Sequence, residues 1–181
     1  MKLWSSWMYD TPAHSRAKPA RTRRPTAAEV AAIFEADYLG YQYRLVEFLA
    51  EHLADVSRTF DGDMHAPVIL TNIGQVSLQA TAAARDGGKS LGDTPADRRG
   101  MTACRLADVT GIPRETVRRK LAGMAERGWI ERQDGYWVLT LAGEEARVRQ
   151  DILPLHRRSL QRAARLYCQL DEVVKAASLQ K

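Results

Sequence analysis

A Gly-Ile-Pro break at residues 111–113 separates two short amphipathic stretches, and it constrains the fold more than any other feature of the chain. Thr102 suits a helix N-cap, ACRLADVT follows it, and Gly111 then supplies a C-terminal breaker. Leu106 and Val109 share one face of this first helix, and Ala107 is small enough for a second helix to cross closely. Ile112 reads as an apolar plug, and Pro113 fixes φ at the start of the next helix. Val117, Leu121, Met124 and Gly128 then recur at steps of four, three and four, a seam that has to be buried. Short helix, glycine turn and second amphipathic helix together make a helix-turn-helix.

With the seam inward, the helical repeat places Glu115 and Arg119 on the opposite face. Arg118 and Lys120 fall on the flanks, with Thr116 among them, and Arg114 sits in the first turn. Farther along, the outward positions become Ala122, Gly123 and Glu126. Cations thus crowd the first half and small or acidic residues the second. That distribution suits a helix entering a major groove by its N-terminal end, where Arg can bridge guanine O6 and N7 and Glu can accept from cytosine N4. The plainer alternative is a solvated helix with Glu115–Arg118 and Glu115–Arg119 pairs, each worth ~0.2–0.5 kcal/mol.

The next stretch, WIERQDGYWVLT at residues 129–140, predicts a β-hairpin, because Asp134-Gly135 fits a two-residue type I′ turn between β-formers. Ile130, Tyr136, Val138 and Leu139 are its packing residues, while Arg132 and Gln133 approach the tip. A hairpin here acts as a wing whose basic edge can touch a phosphate or a minor groove. A structural lid is the alternative.

On these residues the chain resembles the winged helix-turn-helix transcription regulators, most closely the MarR-like group. The resemblance rests on Leu106-Ala107, Gly111-Ile112, Arg114-Glu115-Thr116-Val117, Leu121, Glu126-Arg127-Gly128-Trp129-Ile130 and Leu139-Thr140-x-x-Gly143. About a quarter of the chain matches densely, and the long flanking helices match in layout. The resemblance implies flanking helices that form a dimer interface, a second motif helix in the major groove and a wing in the minor groove. Pro113 stands where Ser or Thr is common, and the hairpin lacks the frequent Asp-x-Arg pattern. IclR- and GntR-like modules share the same core.

Around the motif, residues 1–25 read as a basic arm, with Pro12, Pro19 and Pro25 among Arg16, Lys18, Arg21, Arg23 and Arg24. Such an arm can follow phosphates or enter a minor groove, or serve only solubility. Residues 26–85 read as scaffold helices. Thr26-Ala-Ala-Glu29 matches a capping box, and two apolar stripes follow, Phe34-Tyr38-Tyr41-Leu45-Phe48-His52 and Leu49-Leu53-Val56-Phe60. Two stripes predict a helix packed on two sides, with Gly40 as the site of a kink or split. Asp61-Gly62-Asp63 ends it, and Pro67 suits the first turn of a helix to about Arg85. Residues 86–100 read as a mobile linker, 101–143 as the DNA-binding unit and 144–181 as C-terminal helix broken near Pro154. Arg157, Arg158, Arg162 and Arg165 are spaced onto a polar face of that helix, which is expected to pair with the first long helix in a two-fold dimer or an intramolecular bundle.

Composition narrows the remaining choices. The chain has 181 residues, 45% of them hydrophobic, and a formal charge of +5. Cys104 and Cys168 form no C-x-x-C pair, which suits a reducing cytosol, and Cys104 is expected to be an inert, half-buried thiol within the motif. No apolar run approaches the ~20 residues of a membrane span, and the N-terminus lacks a signal-like h-region; a cytoplasmic protein is expected. Asp61, Asp63 and His65 read as helix caps rather than metal ligands. Gly87-Gly88-Lys89-Ser90 lacks the strand and upstream glycine of a phosphate loop. No catalytic constellation, metal site or cofactor is expected.

The sequence therefore predicts a mainly α chain with a small two-stranded β-wing, a winged helix-turn-helix flanked by long dimerisation helices. It is expected to regulate transcription as a homodimer on palindromic double-stranded DNA. Arg114, Glu115, Arg118 and Arg119 are the expected base readers. Thr116, Lys120, Arg132 and Gln133 complete the expected DNA-binding set, and Arg98 and Arg99 join Lys120 and Arg132 as phosphate holders. A protein–protein interaction module in signalling or replication is the alternative. A small-molecule effector is a further reading, bound between the long helices and the motif by Tyr38, Tyr41, Tyr43 and Trp129.

Overall fold

The computed structural model describes residues 25–88, 90–143 and 145–179; nearly all of the expected basic arm lies outside them. The described chain is mainly helical, with small antiparallel hairpins. It opens on α1 (Ala27–Ala36), where the capping box forms: Thr26 Oγ1 accepts from Glu29 N at 3.3 Å, and Thr26 N donates to Glu29 Oε2 at 2.7 Å. The break expected at Gly40 falls at Asp37, ahead of α2 (Tyr38–Thr59). Gly40 explains the shift. Its missing Cβ would lie 2.3 Å from Asp37 Oδ2, so the glycine admits the Asp37 carboxylate rather than bending the helix itself. Phe34 and Tyr41 stack across the break at 4.8 Å.

Helix α2 stops where Asp61 (φ 52°) and Gly62 (φ 81°) turn left-handed. Asp63 Oδ1 then accepts from the amides of His65 and Ala66 at 3.2 and 3.3 Å, satisfying donors at the start of α3 (His65–Asp86). Ile69 and Ile73 of α3 are fully buried and share one core with Leu106, Val117, Leu121 and Ile130. The expected division at residue 100 therefore does not hold, because α3 is the spine of the unit that contains the motif.

Residues 86–100 also depart from the open linker expected of them. They hold a 3₁₀ turn at Leu91–Asp93 and α4 (Ala96–Arg99), with Leu91, Ala96 and Arg99 buried. The Gly- and Asp-rich composition hid a few residues that pack. After α5 (Ala103–Thr110) and α6 (Arg114–Glu126), β1 (Ile130–Gln133) pairs antiparallel with β2 (Tyr136–Leu139), Gln133 opposite Tyr136. Asp134 and Gly135 between them have φ of 48° and 87°, both positive as a type I′ turn requires.

The helix expected from residue 144 begins later. A second short hairpin, β3 (Leu141–Ala142) with β4 (Glu145–Ala146), turns at Gly143 and precedes α7 (Val148–Asp151) and α8 (Leu153–Leu179). Pro154 lies in the first turn of α8, where its missing N–H costs no helical hydrogen bond.

Helix α8 packs antiparallel on α2 of its own chain through one buried carboxylate. Asp55 accepts two hydrogen bonds at 2.9 Å from Arg158 and further bonds from Arg162. Arg162 is buried and so turns inward from the polar face expected of it, while Arg158 reaches Asp55 from an exposed position and Arg157 stays exposed. Ser159 meets His52 at 3.4 Å, and Arg165 reaches Glu51 at 3.6 Å. Among the described residues no helix is long and apolar enough to cross a membrane.

The hydrogen bond from Arg158 holds the Asp55 carboxyl down, burial opposes it, and Arg162 adds to the lowering, so the group titrates at about 2 rather than 3.8. A depressed folded-state value stabilises above the unfolded value and loses that contribution as pH falls through the folded one. Wild-type stability should drop between about pH 4 and pH 2 more steeply than that of Asp55→Ala. At neutral pH the substitution should cost about 3–5 kcal/mol by stranding the buried Arg162. Urea midpoints at constant m-value check both, and a loss under about 1 kcal/mol would make the cluster dispensable.

Candidate nucleic-acid interface

Local chemistry dictates how α6 is presented. Thr102 Oγ1 caps α5 by accepting from Arg105 N at 3.2 Å. Gly111 ends that helix left-handed at φ 69°, its N–H donating to the Ala107 carbonyl at 2.9 Å. Thr110 Oγ1 then accepts from Ile112 N at 3.3 Å, which steers Ile112 into the core. Pro113 (φ −52°, ψ 137°) directs the chain into α6 without a side-chain cap.

Three buried residues, Val117, Leu121 and Met124, fix the inner face of α6. Arg114, Glu115, Arg118 and Arg119 consequently face water. Arg114 and Arg118 keep 67% and 70% of their side-chain surface exposed even though each has an acid nearby, Asp108 at 3.7 Å and Glu115 at 3.8 Å. Such long, exposed pairs hold little energy and yield readily to a phosphate or a base edge. Thr116 is half-buried beside them, and Arg132 is exposed on β1.

Three other cations or donors expected at this surface are already engaged. Lys120 is half-buried and donates from Nζ to Asp63 Oδ2 at 2.6 Å, which ties the flank of α6 to the α2–α3 turn. Arg99 is buried, donating from Nε to the Thr94 carbonyl at 2.9 Å and from Nη2 to Gln133 Oε1 at 2.6 Å. Gln133 in turn donates to Glu131 at 2.8 Å. Arg99 and Gln133 thus join α4 to the hairpin instead of lining its outer edge. A long-range partner decides each case, and residue spacing along one helix cannot register it. Arg98 remains exposed, and so does Arg105 on α5, a cation near α6 that the sequence pattern passed over.

Burial acts to raise the Asp63 carboxyl, but the bonds from Lys120 and from the amides of Ala66 and His65 outweigh it, and the group ends below its ordinary value. Asp63 therefore serves as cap and anchor together.

The four aromatic residues expected to line an effector pocket are not brought together. Trp129 is buried at the end of α2, edge-on to Phe60 at 6.1 Å, with Nε1 donating to Asp151 Oδ2 at 2.6 Å. Tyr38 and Tyr43 are exposed near the opposite end of α2, and Tyr41 stacks on Phe34. Cys104 and Cys168 are both exposed free thiols, which corrects the half-buried placement expected of Cys104.

Residues 90–159 match the family model described as the HVO_A0261 N-terminal domain. The matched stretch runs from the 3₁₀ turn before α4 to the first turns of α8 and leaves more than half of the chain outside the likeness. No curated protein and no solved structure matches the chain.

Lys120→Gln should lower stability by about 1 kcal/mol, because it removes a charge-assisted bond that is only partly exposed. At this chain length that is a fall of roughly 2–4 °C in Tm. Arg119→Gln, on the solvent face, should stay within about 0.5 kcal/mol of wild type. Differential scanning calorimetry of the two variants checks the contrast, and equal Tm values would contradict the anchoring role of Lys120.

Proposed function

We propose that the protein is a sequence-specific, double-stranded DNA-binding transcriptional regulator of the winged helix-turn-helix type that acts as a homodimer. The observation that carries this reading is the two-sidedness of α6. Val117, Leu121 and Met124 are buried, while Arg114, Glu115, Arg118 and Arg119 point to solvent from its first two turns. Those turns enter the major groove, Arg118 and Arg119 bridge guanines, and the hairpin tip with Arg132 approaches the backbone. Arg98 and Arg105 supply further phosphate contacts.

The homodimer rests on α2. At about 100° per residue, Leu39, Tyr43, Val46, Leu49 and Leu53 fall on one side of the helix, turned away from Asp55, and all five are exposed. Gln42, Ala50 and Ser57 lie among them, so the stripe carries no charge. Leu160 and Tyr167 add exposed apolar surface one heptad apart on α8. A two-fold axis would set such a stripe against its own copy, a self-complementary arrangement, and space the two α6 helices one DNA turn apart, ~34 Å, on a palindrome.

Fluorescence anisotropy on a duplex from the protein's own promoter, at increasing salt, tests the DNA reading. Affinity should fall steeply with salt. Arg118→Ala with Arg119→Ala should weaken specific binding by about 1–3 kcal/mol for each lost arginine while leaving the Tm unchanged. Unaltered binding by that double variant, or no binding at low salt, would sink the assignment and favour a protein-binding module. For the dimer, Val46→Glu with Leu53→Glu should yield a helical monomer in sedimentation equilibrium, whereas a dimer that survives both charges must associate elsewhere.

A further inference from the structure

The helix-turn-helix and its hairpin join the long helices at one end of α2. Asp55 is the buried residue of α2, and the core that holds α3, α5, α6 and β1 takes from this segment only Val56 and Phe60. The chain then enters α3 through two consecutive left-handed residues, Asp61 and Gly62, with φ of 52° and 81°. Apolar contact is non-directional, so it sets the distance between the long helices and the motif better than their angle. The angle needs a directional bond.

Trp129 supplies one. Its backbone belongs to the motif: its N–H donates to the Met124 carbonyl of α6 at 3.0 Å, and its carbonyl accepts from Thr140 N, just past β2, at 3.0 Å. Its side chain belongs to the long helices. The ring stands edge-on to Phe60, and Nε1 donates at 2.6 Å to Asp151, where α7 gives way to α8. Trp129 follows the C-terminal end of α6, whereas Arg114, Arg118 and Arg119 stand near the other end. With α6 ~20 Å long, a pivot of about 10° at Trp129 sweeps the arginine end by ~3 Å, close to the ~3.4 Å step between base pairs. Resting on the DNA-binding dimer proposed above, we infer that Trp129 and Asp151 are positioning residues that set the separation of the two α6 helices and so the half-site spacing the protein accepts. Trp129 is buried and reads no base itself. A repeat one base pair too long or too short has to break the Trp129–Asp151 bond before both sets of arginines can seat.

Selection from a library of random duplexes by the full chain tests this, read as half-site sequence and as spacing between inverted half-sites. The wild type should enrich inverted repeats at one spacing. Asp151→Ala and Trp129→Phe should each lower the preference for that spacing over its one-base-pair neighbours by about two- to tenfold, the worth of one hydrogen bond, with the half-site sequence unchanged. Asp151 is exposed, so its replacement leaves the core intact. Asp151→Asn, whose side-chain carbonyl still accepts from Nε1, should keep the wild-type preference, and the double variant should go no further than either single one. A wild-type spacing preference in both single variants, or an altered half-site in them, overturns the positioning role and leaves the DNA reading standing. Failure of the wild type to enrich any repeat overturns the reading beneath it.

Discussion

The inner face of α6 against α3 is the contact on which the rest of the arrangement depends. Val117 and Leu121 are fully buried and meet a core built on Ile69 and Ile73 of α3. Burying side chains of this size contributes about 1.5–3 kcal/mol each. No rotation of α6 that hid its arginines could keep that contribution, since one residue of rotation would put Arg118 and Ala122, or Thr116 and Lys120, in place of Val117 and Leu121. The exposure of Arg114, Arg118 and Arg119 follows from packing on the other side. Lys120, on the boundary, is drawn inward by Asp63, and the pair fixes where the flank of α6 meets the α2–α3 turn.

A second joint connects this unit to the long helices. Trp129 follows α6 directly, meets Phe60 at the end of α2 and bonds Asp151 at the end of α7, while Arg127 lies over its ring at 5.0 Å. One side chain thus touches α2, the segment leading from α6 into β1, and the start of the α7–α8 run. The Asp55 cluster then clamps α8 to α2. Displacement of α8 relative to α2 would strain the Trp129–Asp151 bond, which gives the long helices a mechanical route to α6.

The parts of this arrangement that were legible in the sequence are those written by local rules. The Thr26 capping box, the left-handed Gly111, the Asp134-Gly135 turn and the Val117–Leu121–Met124 seam each need only neighbours within a few residues. What the sequence obscured depends on partners far along the chain. Arg162 and Asp55 are 107 residues apart, and a helical wheel of α8 alone puts Arg162 on a polar face. Arg99 looked like a loop cation because its acceptors, Thr94 and Gln133, become visible only when α4 docks beside the hairpin. Three of the expected contact residues, Lys120, Arg99 and Gln133, were drawn off in this way. Arg114, Glu115, Arg118 and Arg119 stay exposed because their helix position leaves no inward alternative.

Charge distribution sharpens the meaning of that surface. Because residues 25–181 carry as many acids as bases, they have no net charge to draw a polyanion from a distance. Any attraction would have to come from the local excess on α6, since α5 and the hairpin carry none, and at physiological salt that excess is screened beyond about 8 Å. A body of this kind gains little from loose, sequence-independent association, which scales with the number of phosphates neutralised. Under the proposed function, its discrimination would come from short-range contacts of Arg118 and Arg119 at a base edge. Long-range capture, where the chain needs it, falls to the charge in residues 1–24. On the proposed function, capture and readout would thus be separate, and affinity could be tuned without altering the outward face of α6.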